Sequence, residues 1–235
     1  MLEALPKRMV CGDCWSGVKR ATPIVLGYIP IGFAYGVLAG KSGLSDANTI
    51  LMSLIVFAGS AQFIAVGLFA SGTGPAAVII TTFIVNLRHL LMAASLAPHL
   101  KGWKKKQLAF FAYELTDETF ALHAANPTKL ADCKAEALSL NITAQCSWVA
   151  GTVLGVVAAG LIGDVKPFGL DYALAAMFIG LLVAQCRDRI KVFTAIVAAC
   201  IATLLYLAGF HQFHIIAATV VAATIGLGVE QWTRR

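Results

Sequence analysis

The chain has 235 residues, 59% of them hydrophobic and only 13% charged, with a mean hydropathy of +0.80; a soluble domain carries about 25% charged residues. These values describe an integral membrane protein and exclude a separate cytosolic catalytic domain, because the residues between apolar runs are too few and too scattered to build a second core. The net charge of +6, from 18 Lys and Arg against 12 Asp and Glu, fits loops held on the cytoplasmic side of a bilayer and not the binding of nucleic acid.

In chain order, residues 1–20 hold Lys7, Arg8, Asp13, Lys19 and Arg20 without an apolar h-region, so they read as a cytoplasmic amphipathic segment, not a cleaved signal. Charge-free runs follow at residues 21–40, 47–87, 137–163, 172–186 and 192–229, of 20, 41, 27, 15 and 38 residues. A spanning helix needs roughly 20 apolar residues. The first and third runs are therefore one span each, the 15-residue run borrows from its neighbours, and the 38-residue run folds in two near Gly209. The 41-residue run breaks at Ser71-Gly72-Thr73-Gly74-Pro75, and its second part continues through Asn86-Leu87-Arg88-His89 to Pro98. Lipid tolerates only internally bonded backbones or closed barrels, and strand alternation is lacking. The expectation is an all-α polytopic membrane protein of six to eight transmembrane helices, at least one broken or re-entrant. It forms a single transporter domain over residues 21–230, with residues 231–235 as a cytoplasmic tail.

Basic clusters at Lys7/Arg8/Lys19/Arg20, Lys101/Lys104/Lys105/Lys106, Lys129/Lys134, Arg187/Arg189/Lys191 and Arg234/Arg235 orient the chain. Eight crossings leave the cluster at 101–106 on the wrong side of the positive-inside rule; six place all five clusters inside. The six-crossing arrangement makes residues 47–70 a re-entrant hairpin bent at Phe57-Ala58-Gly59-Ser60-Ala61-Gln62, and residues 107–125 a second non-crossing or broken helix. Both arrangements put both termini in the cytoplasm. A polar bend at membrane depth persists only where it lines a cavity.

Gly32, Gly36 and Gly40 recur every fourth residue, the pattern of a small-residue helix-packing face. Gly36 to Ser42 imitates a phosphate loop but is one residue short, and the sequon at Asn141-Ile142-Thr143 lies inside a span. The six cysteines, among them Cys11 and Cys14, lack a second Cys or His pair at metal-site spacing, so the expectation is no metal, no disulfide and no cofactor. Hydrolase motifs are lacking, which points away from an enzyme.

Arg88 is the single charge between Asp46 and the lysine loop. An Arg near mid-helix costs about 2.5 to 3.5 kcal/mol on insertion scales, so it must find an acid, a carbonyl or a substrate anion in the bundle interior. Its candidate partners are Glu114, Asp117 and Glu118, or a substrate carboxylate. Those three acids, spaced i, i+3 and i+4, fall on one helical face, where they repel unless a proton or an ammonium neutralises them. Asn86 and His89 flank Arg88, and His89 is a candidate proton relay. Gly59, Ser60 and Gln62 offer helix-end amides and polar groups at the bend, a common cradle for a carboxylate.

The segments 23–40 with Gly43-Leu44-Ser45, Met52-Ser53, Val56 to Phe63, Asn86-Leu87-Arg88-His89 to Pro98, Leu115 to Phe120 and Gly169 to Phe178 together resemble the AzlC family, the larger subunit of bacterial branched-chain amino acid exporters. The resemblance covers about residues 15–227. It implies efflux of valine, leucine, isoleucine and methionine across the cytoplasmic membrane, with a small AzlD-type membrane partner. Combined with the residue reading, it gives an ion-driven secondary transporter. Gly59, Ser60, Gln62, Asn86 and Arg88 receive the carboxylate; Asp117, Glu118 and His89 take the ammonium or the coupling proton. The competing readings are a channel or carrier for another small solute, and a non-transporting assembly subunit.

Overall fold

A computed structural model describes residues 13–163, 169, 172–186, 188–209 and 214–233. Readings that rest on Lys7, Arg8, Cys11, Lys166, Asp171, Arg187, Arg234 and Arg235 lie outside the described residues. Every regular element among the described residues is a helix, and four of the helices are long and apolar enough to cross a membrane. The protein is an all-α polytopic membrane protein. It divides into two units, residues 1–174 and 175–235.

The first unit is framed by α1 (Cys14–Lys41) and α8 (Lys134–Ala159). Asp13 caps α1 by accepting from the Ser16 N–H, so the helix starts well before the first charge-free run. The small-residue face predicted at Gly32, Gly36 and Gly40 packs on a second one, Gly151 and Gly155 of α8. A Cβ at Gly36 would stand 2.4 Å from the Thr152 carbonyl oxygen, and one at Gly155 would stand 2.1 Å from that of Phe33. The two backbones are therefore in direct contact, the arrangement that small-xxx-small faces permit. Gly17 meets Glu136 and Ser139 while Gly40 meets Ala159, so the pair is parallel and both helices begin at one end of the unit.

From the far end of α1 the chain turns through residues 42–45 into α2 (Asp46–Leu51), capped by Ser45. This helix runs into one π-helical turn (Met52–Val56), stops at Phe57, which is left-handed at φ +42°, and restarts as α3 (Gly59–Ala70). The break falls within the predicted bend. Going inward, α2 meets the Tyr35 hydroxyl at the Thr49 carbonyl (3.4 Å), and the π turn meets Thr152 at Ser53 (2.8 Å). Coming back, Phe63 packs edge-on to Tyr35, and Phe69 lines the same groove of about 680 Å³ as Ser42 to Ser45. Residues 46–70 are thus a hairpin that enters and leaves at the far end.

Gly74 opens α4 (Pro75–Leu96) at the predicted turn, and a 3-10 turn (Ala97–Leu100) extends it back toward the start of α8. There the Lys134 ammonium donates to the Gly102 carbonyl at 2.6 Å and lies 5.8 Å from the Trp103 ring. The lysines at 101–106 therefore share an end with Arg20, Lys129 and Lys134, as the six-crossing arrangement requires. From this basic end α5 (Lys105–Tyr113) runs inward and α6 (Asp117–Ala124) returns, its Leu122 carbonyl accepting from Arg20 at 3.3 Å and its His123 bonding Asn141 of α8 at 2.8 Å. The short α7 (Pro127–Asp132) closes the end, where Glu136 pairs with Arg20 (2.8 Å) and Lys129 (2.7 Å).

Two expectations are corrected. Glu114, Asp117 and Glu118 do not share a helical face, because α5 ends at Glu114 and α6 begins afresh at Asp117 with Thr116 as its N-cap. The Thr116 hydroxyl accepts from the Thr119 N–H, and this cap chemistry overrides the i, i+3, i+4 periodicity. Cys133 is disulfide-bonded, since disulfides follow spatial proximity and not spacing along the chain; Cys14, Cys146, Cys186 and Cys200 are free.

The second unit comprises α10 (Arg189–Leu207) and α11 (His214–Thr233) with most of α9 (Ala173–Gln185). Asp188 caps α10, Gly209 follows it at φ +92° where the sequence predicts the fold-back, and Gly226 of α11 lies against Thr194 of α10.

Two outcomes test this fold. Gly155→Leu forces side-chain atoms into the α1 backbone and should cost about 1–3 kcal/mol or more, read as a fall in thermal midpoint in detergent, whereas Gly67→Ala, with open space at its Cβ, should leave the midpoint unchanged. A cysteine at Lys105 should react with an impermeant thiol reagent from the same membrane face as one at Lys134, and labelling from opposite faces would refute the second hairpin.

Candidate functional site

The two hairpin tips meet halfway along the frame. Tyr28 is the fifteenth of the 28 residues of α1, and Trp148 the fifteenth of the 26 of α8. The Leu54 carbonyl, freed by the π turn, accepts from the Tyr113 hydroxyl at the end of α5 and from Gln145 Nε2 of α8 at 3.1 Å. Gln145 also donates to the Tyr113 oxygen at 2.9 Å. Irregular backbone at membrane depth is tolerated when protein covers it, and Phe57, Ala58, Leu115 and Thr116 are all buried.

Arg88, halfway along α4, joins the tips. One guanidinium nitrogen lies 2.7 Å from Asp117 Oδ2 in the first turn of α6, and another donates to the Ser60 hydroxyl in the first turn of α3. Its Nε is buried and has no hydrogen-bond partner among the described residues. The side chains of Arg88 and Asp117 keep 27% and 18% exposure, so the pair is not sealed within the core. Beside it the Tyr28 hydroxyl lies 2.5 Å from Glu118 Oε2 and 2.7 Å from Thr116 Oγ1. The Tyr28 ring stands edge-on to Trp148 and Phe57, at centroid separations of 5.4 and 6.3 Å, so one residue of α1 touches both hairpins. Chemically, the tips offer a cation with an unused donor, two carboxylates and two helix N-termini, with an aromatic wall behind them.

Of the residues predicted to form the site, the fold brings together Gly59, Ser60, Arg88, Asp117 and Glu118. Gly59 has a packing reason of its own, since a Cβ there would stand 2.8 Å from the Trp148 ring. Gln62 faces the core, where its oxygen accepts from Trp148 Nε1 (3.1 Å) and its nitrogen donates to Ser53 (3.0 Å). Asn86 and His89 interact within α4, His89 Nδ1 lying 3.2 Å from the Asn86 carbonyl.

Sequence reasoning missed Tyr28, Tyr113 and Gln145. A tyrosine between Pro23 and Pro30 in an apolar span carried a usable signal, because a buried phenol needs a partner for its hydroxyl.

Residues 23–162 match the family model described as AzlC protein, which covers the frame and both hairpins. The chain is 34% identical to an uncharacterized membrane protein of Archaeoglobus fulgidus, over 89% of this chain and 90% of that one. It is 31% identical to the inner membrane protein YgaZ of Escherichia coli (89% and 86%) and 29% identical to the branched-chain amino acid transport protein AzlC of Bacillus subtilis (86% and 81%). No solved structure matches.

Tyr28→Phe removes the donor to Glu118 and should cost about 1–3 kcal/mol through the partly buried carboxylate it leaves short of a partner, read as a lower thermal midpoint in detergent.

Proposed function

We propose that this chain, which belongs to the AzlC family, is the large subunit of an exporter of branched-chain amino acids in the bacterial cytoplasmic membrane. It works with a small AzlD-type membrane partner, is driven by an ion gradient, and holds its basic end in the cytoplasm in keeping with the positive-inside rule. Valine, leucine and isoleucine are the substrates, with methionine as a further candidate. The similarity to the Bacillus subtilis transport protein supports the substrate class.

The observation that carries the reading is Arg88, held at mid-helix between Ser60 and Asp117 with one donor unused. An intramembrane guanidinium is expensive and marks a solute pathway by default. On this reading the substrate carboxylate takes Arg88 and the amides at Gly59 and Ser60, while Asp117 or Glu118 takes the ammonium or the coupling proton. The aliphatic side chain lies against the aromatic wall of Phe57 and Tyr28. Gln62 shapes the tip from within the core, and Asn86 and His89 support Arg88 from its own helix.

Arg88→Ala, inserted normally in the membrane, should lower valine export at least tenfold; unchanged export would remove its binding role. Asp117→Asn combined with Glu118→Gln should abolish the pH dependence of any residual export, and an intact pH profile would remove the coupling role. Trans-stimulation in a counterflow assay with labelled amino acids separates a carrier from a channel.

A further inference from the structure

The first unit contains the same arrangement twice, the second copy upside down. In the first copy α1 runs from the basic end to the far end, a four-residue connection (42–45) follows, and the broken hairpin α2–α3 enters from the far end. In the second, α4 with its 3-10 turn runs from the far end to the basic end, a four-residue connection (101–104) follows, and the broken hairpin α5–α6 enters from the basic end. Phe57-Ala58-Gly59-Ser60-Ala61-Gln62-Phe63 and Glu114-Leu115-Thr116-Asp117-Glu118-Thr119-Phe120 occupy the two tips, 57 residues apart (117 − 60). In that register, set by Phe63 and Phe120, Ser60 pairs with Asp117, within one residue of the pairing that the helix starts at Gly59 and Asp117 would give, and Ser60 and Asp117 are the two residues that Arg88 binds. The exchange is reciprocal, since Tyr28 of the first copy bonds Thr116 and Glu118 at the tip of the second, and Arg88 of the second bonds Ser60 at the tip of the first.

We infer that residues 14–124 form an inverted-topology repeat whose two hairpins are the two gates of one central site, α2–α3 closing it from the far end and α5–α6 from the basic end. The frame against which they move is the α1–α8 pair, whose backbones touch and leave no room for sliding. Away from the tips α2 is held to that frame by Thr49 on Tyr35, and α6 by Leu122 on Arg20 and His123 on Asn141; near its tip each hairpin is held by few bonds. The first uses the Leu54 carbonyl on Gln145 and the Ser53 and Gln62 bonds to Thr152 and Trp148; the second uses Tyr113 on Gln145 and Thr116 and Glu118 on Tyr28. Arg88 and the Tyr113 bond to the Leu54 carbonyl tie the two tips together, so a solute that takes the guanidinium from Asp117 removes one of the two ties between the gates. Inverted repeats with broken helices at the midplane are a recurrent basis for alternating access. The inference rests on the chain being a transporter and is independent of which solute it carries.

Gln145 faces both hairpins, so one position allows both gates to be locked. In a background without native cysteines, Leu54→Cys with Gln145→Cys ties the first hairpin to α8 through a short bis-methanethiosulfonate cross-linker, and Tyr113→Cys with Gln145→Cys ties the second. Ala58→Cys at the first tip, capped by an impermeant thiol reagent added after cross-linking, reports access. Without cross-links the reporter should react from both membrane faces. With the first hairpin locked it should react only from the basic face, and with the second locked only from the far face. Each lock should also lower transport at least tenfold, reversibly on reduction. Labelling from both faces under either lock, a reporter that never reacts, or locked protein that transports at the reduced rate overturns the inference. The access pattern is read without substrate, so an expected pattern in protein that does not move valine condemns the proposed substrate and leaves the gates standing.

Discussion

The contact on which the first unit depends is the one between the backbones of α1 and α8. Lipid gives helices no hydrophobic reason to associate, so their packing rests on close van der Waals approach and on hydrogen bonds. Gly32 and Gly36 on one side and Gly151 and Gly155 on the other bring the chains close enough that no side chain fits between them. That closeness aims Tyr28 and Tyr35 of α1 and Trp148 and Thr152 of α8 into one narrow interior, where they form the wall around which the first hairpin bends. A looser frame would leave the polar backbone of the bend uncovered at membrane depth, at a cost of several kcal/mol for each unsatisfied group.

The bends are stabilised by different means, and the difference polarises the place where they meet. Phe57 takes a left-handed conformation that a bulky residue adopts only under constraint, and α3 then starts without a side-chain cap. The first turn of α3 therefore keeps its partial positive charge. By contrast α6 starts under the Thr116 cap with Asp117 and Glu118 in its first turn, where acids oppose the positive end of the helix dipole. One tip is left electropositive and the other carries carboxylates, with Arg88 between them.

Much of this was legible in the sequence because charge is so scarce in it. The positions of the few charged residues delimit the spans, the turn at Gly74–Pro75 and the fold-back at Gly209 follow from residues with particular backbone preferences, and the break at Phe57–Ala58 is signalled by the polar run Gly59-Ser60-Ala61-Gln62 beside it. Arg88 stood out for the same reason, as a cation without an orienting role. What could not be read was anything decided across long separations in the chain. Nothing local to Gly151 and Gly155 says that they face Gly32 and Gly36, nor does anything near Cys133 reveal its disulfide. The acids illustrate the converse error, in which a local period predicted one continuous helix through Glu114 and Glu118 while the Thr116 cap ended it. The placing of Lys101 to Lys106 beside Lys134 likewise rests on a distant contact, that of Lys134 with Gly102.

A pseudo-symmetric frame with unlike tips suits a solute that carries both charges. If the tips were identical, a site between them would favour a symmetric ion or a neutral molecule. Here Arg88 binds Ser60 in the first turn of one tip and Asp117 in the first turn of the other, a neutral hydroxyl and a carboxylate, so the two tips present unlike polarity to the space between them. Exposed to water, an ion pair such as Arg88 with Asp117 is worth about 0–1 kcal/mol, and burial strengthens the attraction while adding desolvation. A partly exposed pair therefore sits near balance. A zwitterion can exchange into it by giving a carboxylate to Arg88 and an ammonium to Asp117 without leaving either protein charge unpaired. A plain carboxylic acid would strand Asp117 and a plain amine would strand Arg88, each at the cost of an uncompensated charge. On the proposed reading, selectivity for amino acids over their singly charged analogues thus follows from the same pair that forms one of the two ties between the gates.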